Sequence, residues 1–124
     1  MKGINMHVGA AFIFQSYGSD LPDRQIYAND LSLVDLVEPL GYESIWSVEH
    51  HFTDYTMCPD VYQFLSYCAG RTKTAQLGSM VIVLPWHDPL RAAEDLPCST
   101  IYPEAALFSE LVEVPVRSNS MASG

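Results

Sequence analysis

Glu43-Ser44-Ile45-Trp46-Ser47-Val48-Glu49-His50-His51-Phe52-Thr53-Asp54-Tyr55, residues 43–55, is the stretch on which the reading of this chain turns. Ile45, Trp46 and Val48 are β-prone, and the run ends abruptly in Glu49-His50-His51 before a polar turn. Apolar residues that give way to ionisable ones where a strand ends are how an α/β protein presents chemistry above its sheet. Working outward, Met6–Phe14 reads as a first buried strand around Gly9-Ala10-Ala11. Gln15–Asp23, with Gly18, Ser19, Asp20 and Pro22, reads as a loop. From Arg24 to Leu40 the apolar positions Ile26, Leu33, Val37 and Leu40 recur near helical spacing, and Gly41 supplies a stop. Pro59–Ala69 predicts a second helix closed by Gly70. Ala75–Leu84 contains Met80-Val81-Ile82-Val83-Leu84, apolar on both faces, which suits a strand inside a parallel sheet. Asp88 then Pro89 opens a third helix through Glu94.

The order βαβαβα with short connections predicts a parallel α/β sheet with right-handed crossovers. Periodicity leaves open whether that sheet is doubly wound or part of a closed barrel. A chain of 124 residues with 48% hydrophobic content suits one packed domain. The net charge of −9 argues against nucleic acid and anionic membranes as partners. No apolar run is long enough to span a bilayer, and no signal peptide is evident, so a cytoplasmic location is the expectation. Cys58, Cys68 and Cys98 lack zinc-site spacing and read as free thiols in a reducing compartment.

Glu49, His50 and His51 are the candidate chemistry, since histidine serves as acid, base or metal ligand near neutral pH. Side chains alternate along a strand, so one of the two histidines should face a site directly. Adding Asp54 gives His-His-x-x-Asp, the basis of an alternative reading as a metal-dependent α/β hydrolase using His50, His51 and Asp54. Pro85-Trp86-His87-Asp88-Pro89 follows the third strand, where Trp86 and His87 either line the same mouth or form a proline-fixed rim. A Gly-rich phosphate loop is absent from the sequence; Gly9 and Gly18 are too isolated.

Leu40-Gly41-Tyr42-Glu43-Ser44-Ile45-Trp46, the Glu49-His50-His51-Phe52-Thr53 block, Leu77–Pro85, His87-Asp88-Pro89-Leu90-Arg91 and Ala93-Glu94-Asp95 closely resemble the bacterial luciferase-like, flavin-dependent monooxygenases, in order and spacing, over about residues 6–95. The resemblance implies a (β/α)8 TIM barrel. It implies reduced FMN, or a deazaflavin in some relatives, together with O2 and a small organic substrate. A separate flavin reductase and a homodimer built through early helices (Asp30–Leu40, Pro59–Ala69) are further implications. By motif, Glu49 and His50 carry the catalytic role, with His50 the acid–base residue. His51, Ser79, Met80 and Val81 are cofactor-binding, and no metal is required. A cis bond that backs the flavin ring in luciferases matches Met80–Val81, where the residues here are bulkier.

A complete barrel of this type needs roughly 250 residues, whereas three β/α units are legible here. The resemblance stops near Leu96, so the expected division is 1–96 for a partial barrel and 97–124 for an unrelated tail. Relatives continue with a pattern like MLDNLSGGR and a fourth strand like FGIGRG. Each residue constrains the first two bases of its codon. When the last base of each codon is joined to the first two of the next from the Leu96–Pro97 junction, allowed choices spell AMLDNLSGGRL, one open position, then FGIGRGAGKVEFDGFR. Residues from Pro97 onward therefore read as a frameshift product, one base having been lost near codon 96. An arginine resembling a flavin-phosphate contact then falls at Val112–Glu113, where this chain carries an acid. The expectation is a truncated fragment, inactive alone. The alternatives are a product with no selected role, or a module that joins another chain to complete a barrel.

Overall fold

The computed structural model describes residues 6–16, 18–53, 55–99 and 107–111, in backbone only from residue 96 onward. Strand β1 (Gly9–Phe12), helix α1 (Asp23–Val34), strand β2 (Ser44–Ser47), helix α2 (Val61–Ala69), strand β3 (Gln76–Ile82), helix α3 (Pro89–Ser99) and strand β4 (Leu107–Leu111) follow in order, with a short 3-10 turn at Leu84–Trp86 before α3. Among the described residues the sheet has four strands, ordered β1-β2-β3-β4. Every neighbouring pair is parallel, with Ala10 opposite Ile45, Ile45 opposite Leu77 and Leu77 opposite Leu107.

That order resolves what periodicity left open. A doubly wound sheet reverses its strand order at a switch point, whereas strands added in chain order by right-handed crossovers keep their helices on one face. The helix-facing positions Phe12, Ile45, Leu77 and Ile82 join Ile26 and Val34 of α1, Val37 beyond it, and Val61, Phe64, Leu65 and Cys68 of α2 in one buried core. The alternate positions make the opposite face, where a single large side chain occupies the space that two glycines vacate. A Cβ on Gly9 would lie 2.8 Å from the Trp46 ring, and one on Gly78 only 2.5 Å from it. The indole Nε1 donates to Ser44 Oγ at 2.9 Å.

Local chemistry sets the element ends. Helix α1 stops at Val34, earlier than Leu40, because the chain tightens into i to i+3 bonds: Leu36 N–H to Leu33 O at 3.0 Å and Val37 N–H to Val34 O at 3.2 Å. The segment closes with Tyr42 N–H to Val37 O and Gly41 N–H to Glu38 O, both 3.0 Å, and with Gly41 at φ 83°. This is the paired-bond glycine stop anticipated from sequence. Asp60 caps α2 by accepting from Gln63 N–H at 3.1 Å. Asp88 Oδ1 accepts from Leu90 and Arg91 N–H at 2.9 and 3.2 Å, with Pro89 in the first turn of α3.

The expectation of three strands is corrected. Residues Leu107–Leu111 of the tail form β4 along β3, and α3 runs through the Leu96–Pro97 junction to Ser99. The uncovered edge of β3 presents N–H and C=O groups that demand partners, and a Leu-Phe-rich segment within reach supplies them. The Met80–Val81 bond, which matches the cis bond of luciferases, is not cis here: the described residues contain no cis peptide. Asp54, and with it the His-His-x-x-Asp pattern, lies outside the described residues.

Candidate functional site

Strand β2 ends at Ser47, and alternation then turns Val48 outward and Glu49 inward. Glu49 is buried at 2% exposure, and a carboxylate in that position needs donors. Three converge on it. His51 Nε2 lies 2.6 Å from Oε1, and His87 Nε2 lies 2.9 and 3.0 Å from Oε1 and Oε2. Val83 N–H donates to Oε2 at 2.9 Å, at the end of β3. The carboxylate thus ties the loop after β2 to the loop after β3.

A cleft of about 570 Å³ opens beside this cluster, lined by Val48, Glu49, His50, His51, Met80, Val81, Val83, Pro85 and Trp86. All of these lie at or beyond the C-terminal ends of β2 and β3, the edge where barrels of this topology carry their sites. His51 packs against Trp86, ring centroids 5.0 Å apart at 31°, and Phe52 meets Trp86 at 5.5 Å and 60°. Phe52 is 91% exposed and sits at φ 54°, a left-handed conformation that costs a bulky residue energy and turns the chain sharply after His51.

The two adjacent histidines part company, as alternation requires. His51 is half-buried on Glu49. His50 is exposed, its backbone N–H donating to Cys58 O at 2.8 Å and its ring edge-on to Tyr55 at 5.8 Å. Both line the cleft, as do Met80 and Val81. Ser79 is fully buried on the helix side, opposite Ser47, and its Oγ has no partner among the described residues. His87 joins the cluster from 38 positions away, a distance that no local pattern reveals. Behind it, the Tyr62 ring lies edge-on at 6.4 Å. Burial, reinforced by the charges of Asp95, Glu49 and Asp60, pushes the Tyr62 phenol up to about 12. Burial likewise raises the Cys58 thiol, and it pushes Cys68 up to about 12, which keeps both protonated near neutral pH. Among the described residues no three His, Cys, Asp or Glu side chains converge to hold a metal ion.

The solved structures that share this fold include the monooxygenase RslO1 from Streptomyces bottropensis, with a TM-score of 0.75 at 24% identity over 89% of this chain and 34% of that one. They also include the oxygenating constituent of 3,6-diketocamphane monooxygenase of Pseudomonas putida in complex with FMN, with a TM-score of 0.76 at 18% identity over 89% and 30%. Among curated proteins, the uncharacterized protein y4vJ of Sinorhizobium fredii is 34% identical over 70% of this chain and 25% of its own length. The alkanal monooxygenase alpha chain of Photorhabdus laumondii is 37% identical over 48% and 16%. The chain therefore spans a quarter or less of the length of these two curated relatives. The family model described as luciferase-like monooxygenase matches residues 6–96. With most of its length inside that match and its sheet built in the same way, the chain belongs to the luciferase-like monooxygenase family.

Proposed function

We propose that the cleft at the ends of β2 and β3 is one wall of a flavin site, inherited from a monooxygenase that uses reduced FMN and O2 on a small organic substrate. The observation that carries this reading is the Glu49-anchored cleft lying inside the family match. Its size and its apolar lining of Val48, Met80, Val81, Val83 and Pro85 suit a planar ring system. Reduced flavin supplies the electrons with which enzymes of this class activate O2. His50 and His51 stand at the mouth as candidate proton carriers, Glu49 orients His51, and Trp86 with the apolar residues excludes water. Met80 and Val81 form the floor against the ring. The described lining contains no lysine or arginine, so these residues fit the ring and not a phosphate. A deazaflavin would meet the same wall; a separate reductase and a homodimer belong to the full-length reading. No described helix is long and apolar enough to cross a membrane.

We propose further that residues from Pro97 onward are read out of frame. The family match ends at residue 96, where the shifted frame begins to spell the family pattern. The shifted FGIGRG starts at Phe108–Ser109, within β4, which supports reading that segment as the position of the family's fourth strand. In the shifted frame an arginine replaces the acid near Val112–Glu113, which restores a phosphate contact.

The test uses two proteins, this chain and the product of a gene with one base restored at codon 96. The reading expects the chain to bind FMN too weakly to quench its fluorescence at micromolar protein. It expects the restored product to bind FMN and to oxidise an aldehyde or sulfonate with reduced flavin and O2. A restored product that fails to bind FMN overturns the flavin reading. Resequencing that finds the shifted frame closed by stop codons overturns the frame reading independently.

A further inference from the structure

Glu49 and His87 carry an inference that does not depend on flavin. An ionised carboxylate accepts hydrogen bonds and donates none. Glu49 is buried, and its two oxygens meet three nitrogen groups: the Val83 amide, which donates without choice, and the Nε2 atoms of His51 and His87. Each imidazole nitrogen facing the carboxylate must therefore carry its proton. A neutral ring with its proton on Nε2 keeps a lone pair on Nδ1. His51 lines the cleft and His87 does not.

We propose that Glu49 is a positioning residue which holds His51 and His87 in the Nε2–H tautomer, so that His51 Nδ1 is the proton acceptor offered to the cleft, with His87 as the second positioning group behind it. A base fixed by an orienting carboxylate is a recurring catalytic arrangement, and here the carboxylate is braced from its far side by a second ring. The brace has a mechanical reason. Glu49 and His51 sit on the loop after β2, while Val83 and His87 sit after β3. The shared carboxylate sets the distance between the two loops and with it the width of the cleft. His87 is itself held by its backbone N–H donating to Leu84 O at 3.0 Å and by its place immediately before the Asp88 cap of α3. In this arrangement His50, exposed and edge-on to Tyr55, is free to sample both tautomers.

The experiment is two-bond proton–nitrogen NMR of the histidine rings in the purified full chain at about pH 8, above the ordinary imidazole range. Its patterns distinguish Nδ1–H from Nε2–H. The expected result is an Nε2–H pattern for both His51 and His87. In Glu49→Gln the amide presents one acceptor oxygen and one donor nitrogen, so at least one ring should switch to Nδ1–H while the fold is retained. In His87→Gln, whose amide still donates to Glu49, His51 should keep its Nε2–H pattern. An Nδ1–H pattern for either wild-type ring, or rings that average between the two forms, overturns the proposal. So does a Glu49→Gln protein whose two rings keep the wild-type pattern, since a merely structural carboxylate would leave the tautomers untouched.

Discussion

Glu38 anchors the start of β3, and replacing it with glutamine should loosen the strand that carries Met80 and Val81. A single oxygen, Oε1, accepts from three successive backbone N–H groups, Lys73 at 2.8 Å, Thr74 at 2.6 Å and Ala75 at 2.8 Å, and from Thr74 Oγ1 at 3.0 Å. The backbone donor of Thr74 leads in holding the carboxyl down, against some desolvation, and lowers it from 4.5 to about 2. At about 1.36 kcal/mol for each tenfold change in proton affinity, that displacement would be worth roughly 3 kcal/mol in a dry site. The carboxylate is only half-buried, so solvent screening leaves about 1–2 kcal/mol. Because the folded value is the depressed one, this stability is complete above the unfolded carboxyl range and disappears as pH falls from about 4.5 to about 2. Glu38→Gln keeps an acceptor oxygen but loses its charge. Urea unfolding followed by circular dichroism should place the variant about 1–2 kcal/mol below the wild type near pH 7, with the two converging near pH 2. A gap that stays constant between those limits would rule out a charge effect, because the loss would then be one of shape.

Two further substitutions probe the rest of the sheet and the core. Gly78→Ala puts a Cβ 2.5 Å from the Trp46 ring, closer than atoms pack. It should cost about 1–3 kcal/mol and shift tryptophan emission; an unchanged melting temperature would mean that the indole moves aside freely. In a Cys98→Ser background the Cys58 and Cys68 thiols, both raised by burial, should react with a disulfide reagent far more slowly than a free thiol until denaturant is added. Rapid titration of both in the native protein would contradict a formed core between α2 and the sheet.

Much of the element order is legible along the chain because its signals are local. Asp88 with Pro89 opens α3 and Gly41 closes the turns after α1, each through backbone bonds within a few residues, so those positions are legible; the expected start of α2 at Pro59 moves to Val61, behind the Asp60 cap. The run Glu49-His50-His51 marks the end of β2 for the same reason. The early end of α1 is less visible, since apolar spacing continues through Val37 to Leu40 while the hydrogen bonds have already changed partner. The partnership of Glu49 with His87 is legible only in part: the sequence offers Trp86 and His87 for the same mouth, but not His87 for the carboxylate. It arises because β2 and β3 are parallel neighbours, which brings together loops that are far apart in sequence.

The βαβαβα order, the place of the ionisable cluster and, through linked motifs, the family are all written along the chain. These depend on residue type and on spacing within single elements. It takes the folded chain to show that the strands add in one direction, that a fourth strand from beyond residue 96 covers β3, and that His51 turns inward while His50 stays in solvent. Those outcomes depend on backbone groups at a sheet edge and a buried carboxylate finding partners, and the partners are supplied by whatever the fold brings near.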